Sequence, residues 1–189
     1  MKIYALLGHP DTESFNARIL NAYVTAAEAC GHEVRVQKLG ELQFDPVLWH
    51  GYRQKPPLEP DLVAAQENIL WCERWVIVYP IWWGTLPALL KGFIDRTLYS
   101  GFAYKYHEHD PFWDKLLAGR SAHLITTCDA PSWWIFWRYR NSDLNALKRA
   151  TLEFCGIKPV RVLRLDRIRF RLPGQEEQLL ARVRRLAQR

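Results

Sequence analysis

The 189-residue chain has no run of the roughly 18 consecutive apolar residues that a membrane-spanning helix requires. Its first eight residues, Met1 to Gly8, are cut off by His9-Pro10-Asp11 before they reach the length of a secretory leader. A cytoplasmic protein that does not cross a membrane is expected. Cysteines are few and scattered: Cys30, Cys72, Cys128 and Cys155 form no Cys-x-x-Cys pair and have no histidines at zinc-finger intervals. No metal site is predicted, and at least three of the four should be buried as small hydrophobes. Internal repeats, low-complexity tracts and linkers are also missing, so residues 1–189 read as a single domain. Neither Gly-x-Gly-x-x-Gly nor Gly-x-x-x-x-Gly-Lys-Ser/Thr follows the first strand, which disfavours the usual nicotinamide dinucleotide fold and a P-loop nucleotidase.

Acidic residues are scarce toward the carboxyl end. From Lys158 to Arg189 ten basic residues face three acids, and the rest of the chain sums to a net −1 against the overall +6. This basic segment carries no aromatic RNA-binding strand motif and no helix-turn-helix spacing, so it reads as a solvated face that steers anions, with no nucleic-acid partner.

What is present is alternation. Lys2–Leu7 is a strand candidate, followed by a polar turn and a helix from Ser14 with apolar positions Phe15, Ile19, Ala22, Tyr23, Ala26 and Ala29, ended by Gly31. Val34 and Val36 mark a second strand. Residues 41–60, with Pro46, Pro56, Pro57 and Pro60, should be irregular apart from a short turn around Val47–Trp49. Asp61–Glu73 reads as a helix, Trp75–Tyr79 as a strand, Pro87–Leu98 as a helix, and His107–Lys115 as a charged excursion. Arg120–Thr126 is a fourth strand, a tryptophan-rich insert leads to a helix over Asp143–Phe154, and Val160–Leu165 and Gln175–Leu186 close the series. Five strands alternating with helices predict an α/β fold: a three-layer sandwich whose parallel sheet has helices on both faces.

Two strand ends draw attention. After the first strand, Ser14 can cap the helix and donate its hydroxyl to a phosphate, with the amides of Phe15 and Asn16 facing the same anion and His9 at the strand exit. A plain cap and an ordinary turn explain Ser14 and His9 equally well. After the third strand, Pro80 and Ile81 lead straight into Trp82 and Trp83, and Trp133, Trp134, Phe136 and Trp137 follow the fourth strand in the same way. Five tryptophans on two neighbouring strand ends are more aromatic surface than exposed loops hold without a partner. A planar conjugated ring, a second subunit, or both should cover them. A flavin across the sheet edge, where strand order reverses, suits this pattern, and Thr126 and Thr127 would offer amides or hydroxyls to its polar edge.

At Gly8-His9-Pro10-Asp11-Thr12-Glu13-Ser14-Phe15-Asn16, at residues 80–104 with Pro87-Ala88-Leu89-Leu90-Lys91-Gly92-Phe93-Ile94-Asp95-Arg96 inside them, and at Leu124-Ile125-Thr126-Thr127-Cys128, the sequence resembles the NAD(P)H dehydrogenase (quinone) family of flavoproteins. That resemblance implies a flavodoxin-like fold with strand order 2-1-3-4-5. It implies that His9, Ser14, Phe15 and Asn16 hold the flavin phosphates, that Pro80, Ile81, Trp82 and Trp83 line the isoalloxazine, and that Thr126 and Thr127 meet its edge. Tyr104 and Tyr106 match tyrosines that border the catalytic pocket from the partner subunit of a homodimer. The implied cofactor is FAD, with FMN the other candidate, reduced by NADH or NADPH and reoxidised by a quinone or another small aromatic electron acceptor.

The sequence departs from the animal quinone reductases in two places. Cys128-Asp129-Ala130-Pro131-Ser132-Trp133-Trp134 stands where they have two glycines, then a tyrosine and a histidine. Gly84 replaces a bulky aromatic, which implies a differently shaped flavin edge. Arg53, Lys55, Arg138 and Arg140 are each candidates to meet a 2′-phosphate, and His107 and His109 are the nearby titratable groups, equally readable as a charged surface loop. A flavin-binding regulatory or electron-transfer subunit remains the alternative.

Overall fold

The computed structural model describes residues 1–54 and 57–189, so Lys55 and Pro56 lie outside the described residues. Its central sheet has five parallel strands, β1 (Lys2–Leu7), β2 (Glu33–Lys38), β3 (Arg74–Pro80), β6 (Ser121–Thr127) and β7 (Val160–Leu165), in the order β2-β1-β3-β6-β7. Counting only these five along the chain, that is 2-1-3-4-5, as expected. A separate antiparallel pair, β4 (Tyr104–Tyr106) and β5 (Trp113–Lys115), stands off the sheet.

Strand β3 is buried at all seven positions, as an apolar run flanked by β1 and β6 and covered on both faces should be. Alternate residues of the strands feed two cores. Ile3, Ala5, Leu7, Val76, Val78 and Ile125 pack under α1 (Phe15–Ala29) and α6 (Gln175–Ala187). Tyr4, Leu6, Trp75, Ile77, Tyr79 and Leu124 pack under α2 (Pro60–Trp71), α3 (Ala88–Thr97) and the π-helical segment Asn145–Glu153. Cys72, Cys128 and Cys155 are buried and Cys30 is exposed. Among the described residues, no helix is long and apolar enough to cross a membrane, and no group of three or more acidic, histidine or cysteine side chains is placed to hold a metal ion.

Three local expectations need correction. The charged excursion over His107–Lys115 is the turn and second strand of the β4–β5 hairpin; its three-residue strands are too short to show a period of two. The tryptophan-rich insert is itself a helix, α4 (Ser132–Tyr139), followed by a single turn α5 (Ser142–Leu144) that runs into the π-helical segment. The turn set at Val47–Trp49 falls later, at Trp49–His50, and leads into a 3-10 turn at Gly51–Arg53.

Candidate functional site

The carboxyl ends of β1, β3, β6 and β7 gather the connections that carry the candidate residues. Gly8 extends the β1–β3 pairing, its amide donating to the Val78 carbonyl at 2.7 Å. A β-carbon there would come within 2.9 Å of Leu90 and 3.1 Å of Tyr79, so only glycine lets the strand exit pass this close. His9 then turns its ring back, Nδ1 lying 2.9 Å from the Asp11 amide and 3.1 Å from the Asp11 carbonyl. Glu13 donates its amide to Asp11 Oδ1 at 2.8 Å, closing the turn that delivers Ser14.

Ser14 is the N-cap of α1, its Oγ accepting the Ala17 amide at 3.3 Å. As the first two residues of the helix, Phe15 and Asn16 have no intrahelical acceptor for their amides, so both stand as donors at the helix start. Arg171 and Arg18 stand over the Phe15 ring at 4.4 and 5.2 Å, and both pair with Glu176, at 3.3 and 2.9 Å. The Asn16 side chain also braces the site, because its Oδ1 accepts from Thr127 Oγ1 at 3.2 Å and ties the first loop to the end of β6.

Beyond Pro80, the Ile81 amide donates to the Thr127 carbonyl at 2.7 Å and continues the β3–β6 ladder. Trp82 and Thr85 then exchange both backbone hydrogen bonds, at 3.0 and 2.9 Å, around the central pair Trp83-Gly84. With φ of +51° and +77° this is a two-residue turn of type I′. The geometry gives Gly84 its reason, because the second central position needs positive φ. Trp83 adopts the left-handed region against its own preference, and its side chain is wholly in solvent at 103% exposure. Trp82 folds back so that its indole meets His9 edge-on.

Thr126 is fully buried and sits opposite Tyr79 in the sheet register. Its side chain therefore lies in the core below the rim, whereas Thr127 reaches Asn16. His9, Ser14, Asn16, Trp82 and Thr127 thus belong to one contiguous edge. Tyr104 and Tyr106 do not join it within one chain. They stack edge-on at 5.2 Å beside Phe154 and line a different cavity of about 420 Å³ with Leu48, Tyr52, Arg96 and Tyr99. Burial, aided by the neighbouring Tyr106 and Tyr52, raises the Tyr104 phenol and keeps it a proton donor. His107 bonds Asp110 at 2.9 Å and Asp114 at 3.2 Å in the exposed hairpin turn, and its pKa is raised by those carboxylates. Arg53, Arg138 and Arg140 are exposed, while Lys55 is outside the described residues. The Cys128 thiol, pushed by burial up to about 12, is no nucleophile near neutral pH.

Sequence reasoning missed what supports the rim. Asp143 is fully buried and receives Arg164 Nη2 at 2.8 and 2.9 Å, and Arg164 Nη1 donates to Asn141 at 2.7 Å. Ser142 Oγ donates to the Gly84 carbonyl, and a β-carbon on Gly84 would sit 3.5 Å from the Tyr139 ring. The aromatic turn is therefore fastened through α5 to β7. The only hint in the sequence is that the strand Val160–Leu165 carries two arginines, Arg161 and Arg164, and nothing there tells which one is paired inside. Arg96, 4% exposed, similarly holds the long second connection through Glu59 at 2.8 Å and the carbonyls of Asp45 and Pro57.

A family model described as a flavodoxin-like fold matches residues 1–189. Among solved structures, Smu.1420 from Streptococcus mutans UA159 superposes with a TM-score of 0.86 at 32% identity, covering 100% of this chain and 99% of that one. The NAD(P)H:quinone oxidoreductase from Methanothermobacter marburgensis superposes with a TM-score of 0.82 at 25% identity, covering 100% and 98%. NAD(P)H dehydrogenase (quinone) 1 of Cavia porcellus is 28% identical over 180 residues, 81% of this chain and 64% of its own length. The chain spans less than two thirds of the first curated relatives it matches.

Proposed function

The chain belongs to the flavodoxin-like fold family, and on that premise we propose that it is a flavin-dependent NAD(P)H oxidoreductase acting on a quinone or a similar flat acceptor. The observation that carries the reading is the shared edge where His9, the free amides of Phe15 and Asn16 and the Trp82–Thr85 turn meet at the carboxyl ends of β1 and β3. That edge is the switch point of the 2-1-3-4-5 order, where β2 and β3 leave β1 in opposite directions.

The donor set fits the group. Two unpaired amides at a helix N-terminus with the His9 imidazole beside them suit a phosphate, and an exposed indole pair suits a conjugated plane. A bound flavin would supply the two-electron redox chemistry between NADH or NADPH and the acceptor, in ping-pong order. The chain's part is to bind and orient. Ser14, Phe15 and Asn16 anchor the phosphate end, Pro80, Ile81 and Trp82 line the ring, and Thr127 fixes Asn16 between them. FAD is the first candidate and FMN the second. In a homodimer Tyr104 and Tyr106 of one subunit would wall the pocket of the other, which gives a role to two aromatic residues that the single chain leaves away from the edge.

An absorbance spectrum of the purified protein followed by anaerobic titration tests the reading. A bound flavin band that bleaches with NADH or NADPH and recovers with a quinone is expected. Absence of flavin binding with both FMN and FAD overturns it, and firm binding with negligible turnover favours a regulatory or electron-transfer subunit.

A further inference from the structure

Strand β7 closes the sheet with one side open, since the order β2-β1-β3-β6-β7 gives it β6 as its single sheet neighbour. The Pro159 carbonyl accepts the Ala122 amide at 3.0 Å, and the Leu165 carbonyl accepts the Cys128 amide at 3.1 Å. A parallel ladder alternates residue by residue, so Arg161 and Leu163 between them also bond toward β6, whereas Val160, Val162 and Arg164 direct their backbone N–H and C=O to the open side. Such a row is a ready template for another strand.

The last turns of α6 flank this edge. Arg182 and Arg185 on α6 and Arg189 just beyond it recur at i, i+3 and i+7 on one face of the helix. With half-buried Val162, Leu163 and Leu186 they line a cavity of about 290 Å³, apolar at its floor and basic at its rim. Arg161, exposed on β7, adds a fourth guanidinium group. Arg74 Nη2 donates to the Arg189 carbonyl at 3.3 Å and so holds the end of α6 near the start of β3. Other arginines of the same segment are neutralised, Arg164 by Asp143, Arg171 by Glu176 and Arg184 by Glu177. Among the described residues Arg161, Arg182, Arg185 and Arg189 have no ion pair, and no carboxylate side chain lines the cavity.

We propose that this groove docks an acidic segment of a partner protein, added in extended form as a strand beside β7. Main-chain hydrogen bonds to the open ladder supply affinity, and alternate carboxylates meeting the four arginines fix its orientation. A second copy docked through the same face brings only arginine and apolar side chains to the contact, whichever way the axis runs. Nucleic acid is also poorly matched, because no aromatic side chain lines the groove to stack a base. The groove lies beside β7 toward the amino ends of the strands, away from the flavin edge at their carboxyl ends. The inference therefore concerns a partner and holds whichever acceptor the protein reduces.

Fluorescence anisotropy with the purified full-length protein is the test, using a fluorescein-labelled peptide of about ten residues that alternates glutamate with threonine. Two companions share its length: one carries lysine for glutamate, and the other is the glutamate peptide N-methylated throughout, which keeps its charge but has no amide to donate. The glutamate peptide is expected to bind, the lysine peptide to stay free, and the N-methylated peptide to bind at least about tenfold more weakly. Arg182→Glu with Arg185→Glu, both exposed on the helix surface, should cost the glutamate peptide at least about tenfold at an unchanged urea midpoint. The proposal fails if wild type ignores the glutamate peptide, if the N-methylated peptide binds as well, or if single-stranded DNA of equal charge binds more tightly. It also fails if the double variant sediments without peptide as a smaller species than wild type, because the groove is then a contact between copies.

Discussion

The imidazole of His9 meets the indole of Trp82 edge-on, with ring centroids 5.3 Å apart and planes at 73°. This contact joins the loop after β1 to the turn after β3, elements separated by more than seventy residues. It holds Trp82 down while Trp83 projects, so the two neighbouring tryptophans have different work.

Trp82→Ala should therefore weaken flavin binding by about tenfold, the scale of one lost aromatic contact with its buried area. Fluorescence titration with FMN and FAD measures it. Unchanged affinity for both would remove Trp82 from the binding edge.

Trp83→Asn should act in the opposite sense on stability. Asparagine tolerates the left-handed conformation that Trp83 holds at φ +51° and, with Gly84 following, suits a type I′ turn. A gain of about 1 kcal/mol in urea unfolding is expected, accompanied by a raised KM for aromatic acceptors. A fall in stability would mean that the exposed indole makes contacts this turn geometry conceals.

Asp143→Asn leaves Arg164 in a nearly closed site without its counter-charge. Breaking such a pair from one side costs about 3–5 kcal/mol, readable as a lower urea midpoint with unchanged slope. Because Ser142 fastens Gly84, the same variant should bind flavin less tightly than its residual fold explains. Denaturation and flavin titration under matched conditions separate the two effects.

Acid should expose His123. Its ring lies inside the sheet, bonded to the Tyr23 hydroxyl at 2.7 Å, and burial, with Arg74 and Arg161 nearby, lowers its pKa from 6.5 to about 3. Between those values the unfolded chain binds a proton that the native state refuses. The stability this site contributes is thus complete above about pH 6.5 and declines as pH falls toward 3, by about 1.4 kcal/mol per unit. Comparing unfolding at pH 7 and about pH 4.5, His123→Gln should lose about 2–3 kcal/mol less than wild type. Equal losses would place the acid sensitivity elsewhere.

The layered fold was legible because β3 announces itself as an apolar run and Ser14 and Gly31 bracket α1. The first loop and the aromatic turn were legible too, since few residues separate each from its strand. Helix α4 was not, because its i, i+3, i+4 stripe sits on residues 133–137, immediately after a proline and without a polar face to confirm the period. The Asp143–Arg164 pair stayed hidden for another reason: its partners lie 21 residues apart on different elements, and nothing local demands either charge.

The π-helical segment Asn145–Glu153 leads directly to Phe154 and Cys155, whose carbonyls receive Trp113 Nε1 at 2.9 Å and the Leu117 amide at 3.1 Å. Each residue of a helix advances the chain by about 100°. Deleting a single residue without a compensating change of pitch would swing both carbonyls about a quarter-turn off their donors, casting the Tyr104–Tyr106 hairpin loose. The loop length of this stretch is thereby locked, and natural variation in the fold should prefer exchanging its side chains to changing their number.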